Sequence, residues 1–366
     1  MTASVHMFND QLHAIHICDR YVTSATVEKL QTLISGHCAR YGLTTEMIER
    51  LNVDRTYLNG RLREILDIIR SAQTRPGILE ICFYQVTVSC EDMKVLAKFI
   101  CDTATTMNIK MTSCELNDDA MDSIIKMVRT PSVVDLDLTD NMFTGGGMAR
   151  LTSVLGGTSL IELNLNKNPI SRLAAEALAK ALPHTNIIKL HLSQCRMGIQ
   201  ETSAILKAVK HSKIKRLNLS RNTIGSCRGP HAINEALENR NLQMLSMACT
   251  DLTNRSLEII TSGIVKSRTI RTLDISVNSR ITVHGINRML KSIEYHSSLS
   301  YVQAAGCSGT WFGFGMQIYD LVCQWMKARL IITMLSARVV ARIGCKSSLS
   351  VLPTELFRVL KTMLVK

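Results

Sequence analysis

The chain has 366 residues, of which 46% are hydrophobic, 20% charged and only 4% aromatic. That is enough apolar material for a large core, while the formal charge of +13 lies diffusely along the chain and, with so few stacking rings, argues against nucleic acid as the partner. Twelve cysteines without a C-x-x-C pair, a start lacking the basic and apolar regions of a secretion signal, and no apolar run near the roughly 20 residues of a membrane span point to free thiols in a soluble intracellular protein, cytoplasmic or nuclear, with no membrane partner.

Short lines of alternating aliphatic residues run through the chain. Leu12 to Arg20 and Ile48 to Thr56 are divergent examples, Ile78 to Val86 fits with Val at its last position, and Thr106 to Cys114 fits except at its first. Val133 to Asn141, Leu160 to Asn168, Ile187 to Cys195 and Ile214 to Asn222 are full matches to L-x-x-L-x-L-x-x-N/C, where L is any aliphatic residue. Leu242 to Thr250, Ile270 to Asn278 and Leu299 to Cys307 continue the series. The intervals between starts are 36, 30, 28, 27, 27, 27, 27, 28, 28 and 29 residues, regular in the middle and drifting at the ends, as in an array with atypical caps.

The L-x-L core of each line has period two, which predicts a short strand with one face buried. The closing Asn or Cys (Asn141, Asn168, Cys195, Asn222, Asn278) is expected to turn inward and satisfy backbone groups left unpaired by the turn. A small thiol tolerates burial there, so Cys114, Cys195 and Cys307 need no catalytic role. Helical spacing follows each line. Leu173 to Leu182 places Leu173, Ala177, Leu178 and Ala181 on one side, with Ser171 as cap and Pro183 after the end. Thr202 to Val209, Asn254 to Val265 and Thr282 to Ile293 repeat the design.

These lines carry the signature of a leucine-rich repeat, and a helix in each period of about 28 residues resembles the ribonuclease-inhibitor type. The resemblance covers about 230 residues strongly and about 300 in all. It implies an α/β fold: a solenoid, or horseshoe, of about 9–11 repeats with a parallel inner sheet and outer helices. It also implies a protein-binding concave face; members include ribonuclease inhibitors, Ran GTPase-activating proteins and nucleotide-sensing immune receptors. The predicted organisation is a divergent N-terminal cap over 1–77, the array over 78–310, and a helical C-terminal cap and tail over 311–366.

Around Cys307 and beyond, Gly306, Gly309, Gly313 and Gly315 surround Trp311, Phe312 and Phe314, and 316–340 has helical spacing through Ile318, Leu321, Val322, Trp325, Met326 and Leu330. The last segment holds Leu352, Pro353, Glu355 and Leu356. This L-P-x-E-L resembles the opening of an F-box or the end of a suppressor-of-cytokine-signalling box, which implies docking to a ubiquitin-ligase subunit. Pro353 in the first turn of an amphipathic helix explains the same letters.

No phosphate loop, catalytic grouping, metal site or cofactor motif is read, so the expectation is not an enzyme. Gly145 to Gly147 reads as the loop before a helix. His13 and His16 are three apart on a strand and need not share a side. Asn218 and Asn254 match glycosylation acceptors by chance. The informative residues are those between the aliphatic positions, expected on the concave side. Asp135, Asp137, Asp140, Glu162 and Asn164 form an acidic stretch, followed by Lys189, His191, Lys215, Arg216 and Arg221. With strands about 4.8 Å apart, the two fields fall about 10–15 Å from each other. That predicts either a solvated face or a dipolar docking surface for a protein of opposite pattern, with few aromatics beyond Tyr84 and Tyr301. Regulation of a small GTPase is a further alternative, although this C-terminus is basic where Ran regulators are acidic.

Overall fold

A computed structural model describes residues 3–8, 11–18, 21–41, 49–58, 60–72, 78–225, 228–293 and 298–307. The chain forms two compact units, Met1–Met197 and Gly198–Lys366. In the first, strands β1 (Ala3–Phe8), β2 (Gln11–Ile17), β3 (Arg50–Asp54), β4 (Ile78–Tyr84), β5 (Thr106–Thr112), β6 (Val133–Asp137), β7 (Glu162–Asn164) and β8 (Lys189–His191) lie side by side in chain order. Helices α1 (Ser24–Tyr41), α2 (Leu62–Ala72), α3 (Cys90–Asp102), α4 (Met121–Val128), α5 (Gly145–Ser153) and α6 (Arg172–Ala181) connect them. The second unit alternates α7 (Ile199–Val209), β9 (Arg216–Asn218), α8 (Arg228–Leu237), β10 (Met244–Ser246), α9 (Asn254–Lys266), β11 (Thr272–Asp274), α10 (Val283–Ser292) and β12 (Tyr301–Gln303).

Within each unit every repeat strand from β2 onward pairs parallel with its neighbour, and the aliphatic positions stack in register: Leu136, Leu163 and Leu190 in one unit, Leu217, Leu245, Leu273 and Val302 in the other. All seven are buried, because no single repeat can bury its apolar face alone. The helices cover one face of the sheet and pack on one another in sequence, leaving the other face open. The fold is a leucine-rich repeat solenoid, and all eleven predicted lines carry a strand, including the two divergent ones. An antiparallel pairing of β1 with β2 precedes them, outside the repeat pattern and unannounced by it.

Three details differ from expectation. Ile78 is 60% exposed, and Leu79, Ile81 and Phe83 are buried instead. Met107, Ile109 and Met111 follow the same strict alternation, whereas the next strand buries Val133, Leu136 and Leu138. The change occurs where Met107 pairs with Val133 but Asn108 with Asp135, so Val134 is an inserted residue that shifts the register. Secondly, α6 buries Ala174, Ala175, Leu178 and Ala181, while Leu173 is 64% exposed. Small side chains are needed where α6 approaches α5, with Thr152 Oγ1 donating to Ala174 O at 3.2 Å. Thirdly, Gly145 to Gly147 are the first turn of α5, not a loop before it. Thr144 caps that turn by accepting from Gly146 N and Gly147 N. A Cβ on Gly145 would lie 2.6 Å from Ser171 Cβ, and one on Gly147 would collide with the Asp118 carboxylate.

The closing residues of the lines do what their chemistry requires. Buried Asn141 accepts from Cys114 N (3.0 Å) and Leu116 N (3.1 Å) and donates to Met111 O and Leu138 O (both 2.8 Å). Asn278 does the same in the last repeat but one, accepting from Thr250 N and Leu252 N. Cys195 Sγ donates to Leu165 O and Cys307 Sγ to Ile275 O, each at 3.3 Å. Burial pushes the Cys195 and Cys307 thiols up, to about 12 and about 11, so both stay protonated. The residue before each closing position has positive φ, from Arg55 through Asp140 and Lys167 to Val277 and Gly306.

The predicted helix over 316–340 and the segment Leu352, Pro353, Glu355 and Leu356 lie outside the described residues.

Candidate functional site

The open face is built from the residues between the buried aliphatic positions. In the first unit one row runs Arg50, Glu80, Asn108, Asp135, Glu162 and Lys189 through successive ladder partners. The adjoining row includes Asn52, Cys82, Lys110, Asp137, Asn164 and His191. Glu80 receives both Arg50 and Lys110. Burial raises its carboxyl, but the charge and hydrogen bonds of these two cations outweigh that and leave its pKa below the ordinary value. Glu162 receives Lys189 Nζ at 2.5 Å and His191 Nε2 at 3.3 Å. Burial pushes Glu162 up too, and again its contacts with Lys189 and His191 bring it below normal. Asp137 accepts from Asn164 Nδ2 and from Thr139 N, both at 2.8 Å. At the end of the strand Asp140 accepts from Ser113 Oγ at 2.8 Å and lies 3.6 Å from Lys167 Nζ.

The predicted separation into an acidic and a basic field therefore does not hold in this unit. Adjacent strands are closer than a lysine or arginine side chain can reach, so opposite charges meet directly. Asp135 is the exception: no hydrogen bond or ion pair reaches it among the described residues. Burial, with the nearby charges of Glu162 and Asp137, pushes its pKa up to about 6 against the opposing pull of Lys110 and Lys189. Cys82, in the same neighbourhood, has its thiol pushed up to about 11 by burial and by Glu80, which makes it a poor nucleophile.

The second unit presents a different face. Arg216, Met244, Thr272 and Tyr301 are successive ladder partners. Lys215, Arg216, Arg221 and Arg271 are exposed, and none has an ion-pair partner among the described residues. Asp274 is held by its own neighbours, accepting from Ser246 Oγ at 2.8 Å and Ser276 Oγ at 2.6 Å. Asn218 accepts from Ser220 N at 3.0 Å.

Aromatic contacts reach beyond the two tyrosines that the line positions predict. Tyr84 and Tyr301 are exposed as expected, and Arg55 lies over the Tyr84 ring at 6.0 Å. Tyr21 and Tyr57, both also exposed, stack at 5.3 Å between ring centroids. The available signal was that each follows the closing position of its line by one residue. His16 is near Asn52, with Nε2 at 3.0 Å from the amide nitrogen, while the side chain of His13 lies outside the described residues.

Two clefts stand out among the described residues. One, of about 440 Å³, is lined by Gln85, Thr87, Ser113, Glu115 and Met142. The other, of about 500 Å³, lies at the C-terminal ends of α8 and α9 among Glu238, Arg240, Lys266 and Arg268. Cations are favoured at helix C-termini by the backbone dipole, which accounts for Arg240, Lys266 and Arg268 there without a ligand. Among the described residues no group of three or more His, Cys, Asp or Glu could hold a metal ion. None of the described helices is long and apolar enough to cross a membrane.

No protein-family model matches the chain, and no curated protein matches it. Among solved structures it is similar to leiomodin-1 actin-binding site 2, with 14% identity over 54% of this chain and 95% of that one and a TM-score of 0.33. It is also similar to a chain of the TLR13–ssRNA13 complex, with 15% identity over 71% of this chain and a TM-score of 0.40, spanning only 43% of that chain.

Proposed function

We propose that the protein is a non-enzymatic scaffold that docks a protein partner on the open face of its repeat strands. The supporting observation is the one-sided sheet: helices bury one face, and polar and charged side chains on rigid parallel strands occupy the other. Strands hold such side chains more firmly than loops do, which lowers the ordering cost of binding. The residues proposed to meet the partner are Asp135, Asp137, Asp140, Glu162, Asn164, Lys189 and His191 in the first unit and Lys215, Arg216 and Arg221 in the second. We assign the array to the ribonuclease-inhibitor type, with 1–77 as N-terminal cap, 78–310 as array and 311–366 as C-terminal cap and tail, acting in the cytoplasm or nucleus without a cofactor. Recruitment of a ubiquitin-ligase subunit through Leu352, Pro353, Glu355 and Leu356 is the second reading, carried by the L-P-x-E-L letters alone.

Affinity purification of the intact protein, of a variant carrying Asp137→Lys with Arg216→Glu, and of a chain lacking residues 349–366 separates these readings. The face variant is expected to lose its partners and the shortened chain to keep them. Full retention by the face variant with loss by the shortened chain would replace the scaffold reading with the tail reading.

A further inference from the structure

Resting on the docking reading, we infer that the partner offers an acidic, extended protein segment, and that this segment lies on the sheet face of the second unit across β9, β10 and β11. Charge composition is the first observation. Residues 1–197 carry 20 basic and 21 acidic side chains, whereas residues 198–307 carry 15 basic and 7 acidic. The net positive charge of the folded repeats therefore belongs to the second unit.

Pairing is the second observation, independent of the first. On the first unit's face the cations Arg50, Lys110 and Lys189 are each engaged by a glutamate. A partner docking there gains little for each charge, since it must compete with an existing pair. In the second unit Arg216 opens β9 on the strand face, and Lys215 and Arg271 immediately precede β9 and β11; all three are exposed with no counter-ion among the described residues. Lys215 O accepts from Gln243 N (2.8 Å) and Gln243 O from Arg271 N (2.7 Å), so the three residues are lateral neighbours. Lys215 and Arg271 are thus two strands, or about 10 Å, apart across the sheet. Like charges this close repel through about one Debye length of salt, and carboxylates brought by a partner relieve that repulsion.

The face also selects among anionic occupants. Met244 and Tyr301 are exposed in the same row as Arg216, giving apolar footing between and beside the cations. A peptide whose acidic residues alternate with apolar ones matches both features. Single-stranded nucleic acid would need several stacking rings, and Tyr301 is the one aromatic residue in this row. The chain's own C-terminal stretch is excluded by its sign: residues 308–366 carry 8 basic and 2 acidic side chains.

The test uses the full-length protein and three labelled probes in fluorescence anisotropy: a peptide of about twelve residues alternating Glu with Leu, its Lys-for-Glu counterpart, and a poly-U RNA of matched charge. The acidic peptide is expected to bind, and its affinity to fall as salt rises. Arg216→Glu with Arg271→Glu should weaken it by about tenfold or more, Arg216→Gln with Arg271→Gln by less, and Lys94→Glu, on exposed α3 of the first unit, by under about twofold. The graded Gln variants keep the result readable if charge reversal disturbs folding. Tighter binding of the RNA, no binding of the acidic peptide, or peptide binding indifferent to both Arg variants would each overturn the inference. Captured partners give the remaining distinction. If Asp137→Lys releases them and the Arg variants do not, the docking reading survives and the acidic-segment inference fails; if neither releases them, both fail.

Discussion

Asn141 ties together backbone from two repeats. Its amide oxygen takes two buried N–H groups and its nitrogen gives to two carbonyls, so removing it strands both kinds of group at once. Asn141→Ala is expected to cost about 2–4 kcal/mol in urea unfolding, with Asn141→Cys costing less because Cys195 already fills the equivalent place. One position earlier the backbone is left-handed, which β-branched side chains resist. Val277 sits there at φ +55°, whereas the next repeat uses Gly306 at φ +71°. Val277→Asn should therefore raise stability by about 1 kcal/mol, seen as a higher melting temperature, and Gly306→Val should lower it. Asp135 adds a pH signature. Its pKa is raised in the fold to about 6 from an ordinary 3.8, so the fold favours its neutral form. Whatever stability it contributes is complete below 3.8 and lost as pH rises through about 6. Asp135→Asn should therefore stabilise the protein at pH 7.5, with the advantage shrinking through about pH 6 and gone by about pH 4 in paired urea titrations.

At the scale of elements, the first turn of α5 shows how closely neighbouring repeats approach. Gly146 is exposed with its nearest atom, Thr144 Oγ1, 3.5 Å from where a Cβ would be, whereas Gly147 faces the Asp118 carboxylate. Asp118 also accepts from Thr144 N at 2.9 Å. Gly146→Ala should stabilise by about 0.5–1 kcal/mol through helix propensity, and Gly147→Ala should destabilise by about 1–3 kcal/mol through the clash; chemical unfolding of the two variants side by side decides this. The repeat strands were legible in the sequence because aliphatic spacing alone places a strand at each line. The phase of α6 was not, since its alanines are small enough to sit on either side, and it is the closeness of α5 that turns Leu173 outward. Nor was the shift at Val134, because both L-x-L-x-L and L-x-x-L-x-L present the same buried column. Of the candidate face, the rows of exposed residues could be listed from position in each line. Their pairing could not, because Glu80 with Lys110 and Glu162 with Lys189 are contacts between repeats.

For the whole molecule, the open strand face is the surface proposed to receive a partner, and its electrostatics differ between the two units. The first unit is internally neutralised, which favours a docking surface read by shape and hydrogen bonding. The second carries uncommitted cations, which favour attraction at a distance and a salt-dependent association rate. The most direct measurement of the central claim is photo-crosslinking from single introduced probes on the intact protein. Probes replacing Tyr84 or Met244 on the sheet face are set against probes replacing Leu173 or Val265 on exposed helix surface. The account predicts partner adducts from the sheet-face probes and none from the helix probes. Adducts from Leu173 or Val265 alone would contradict it.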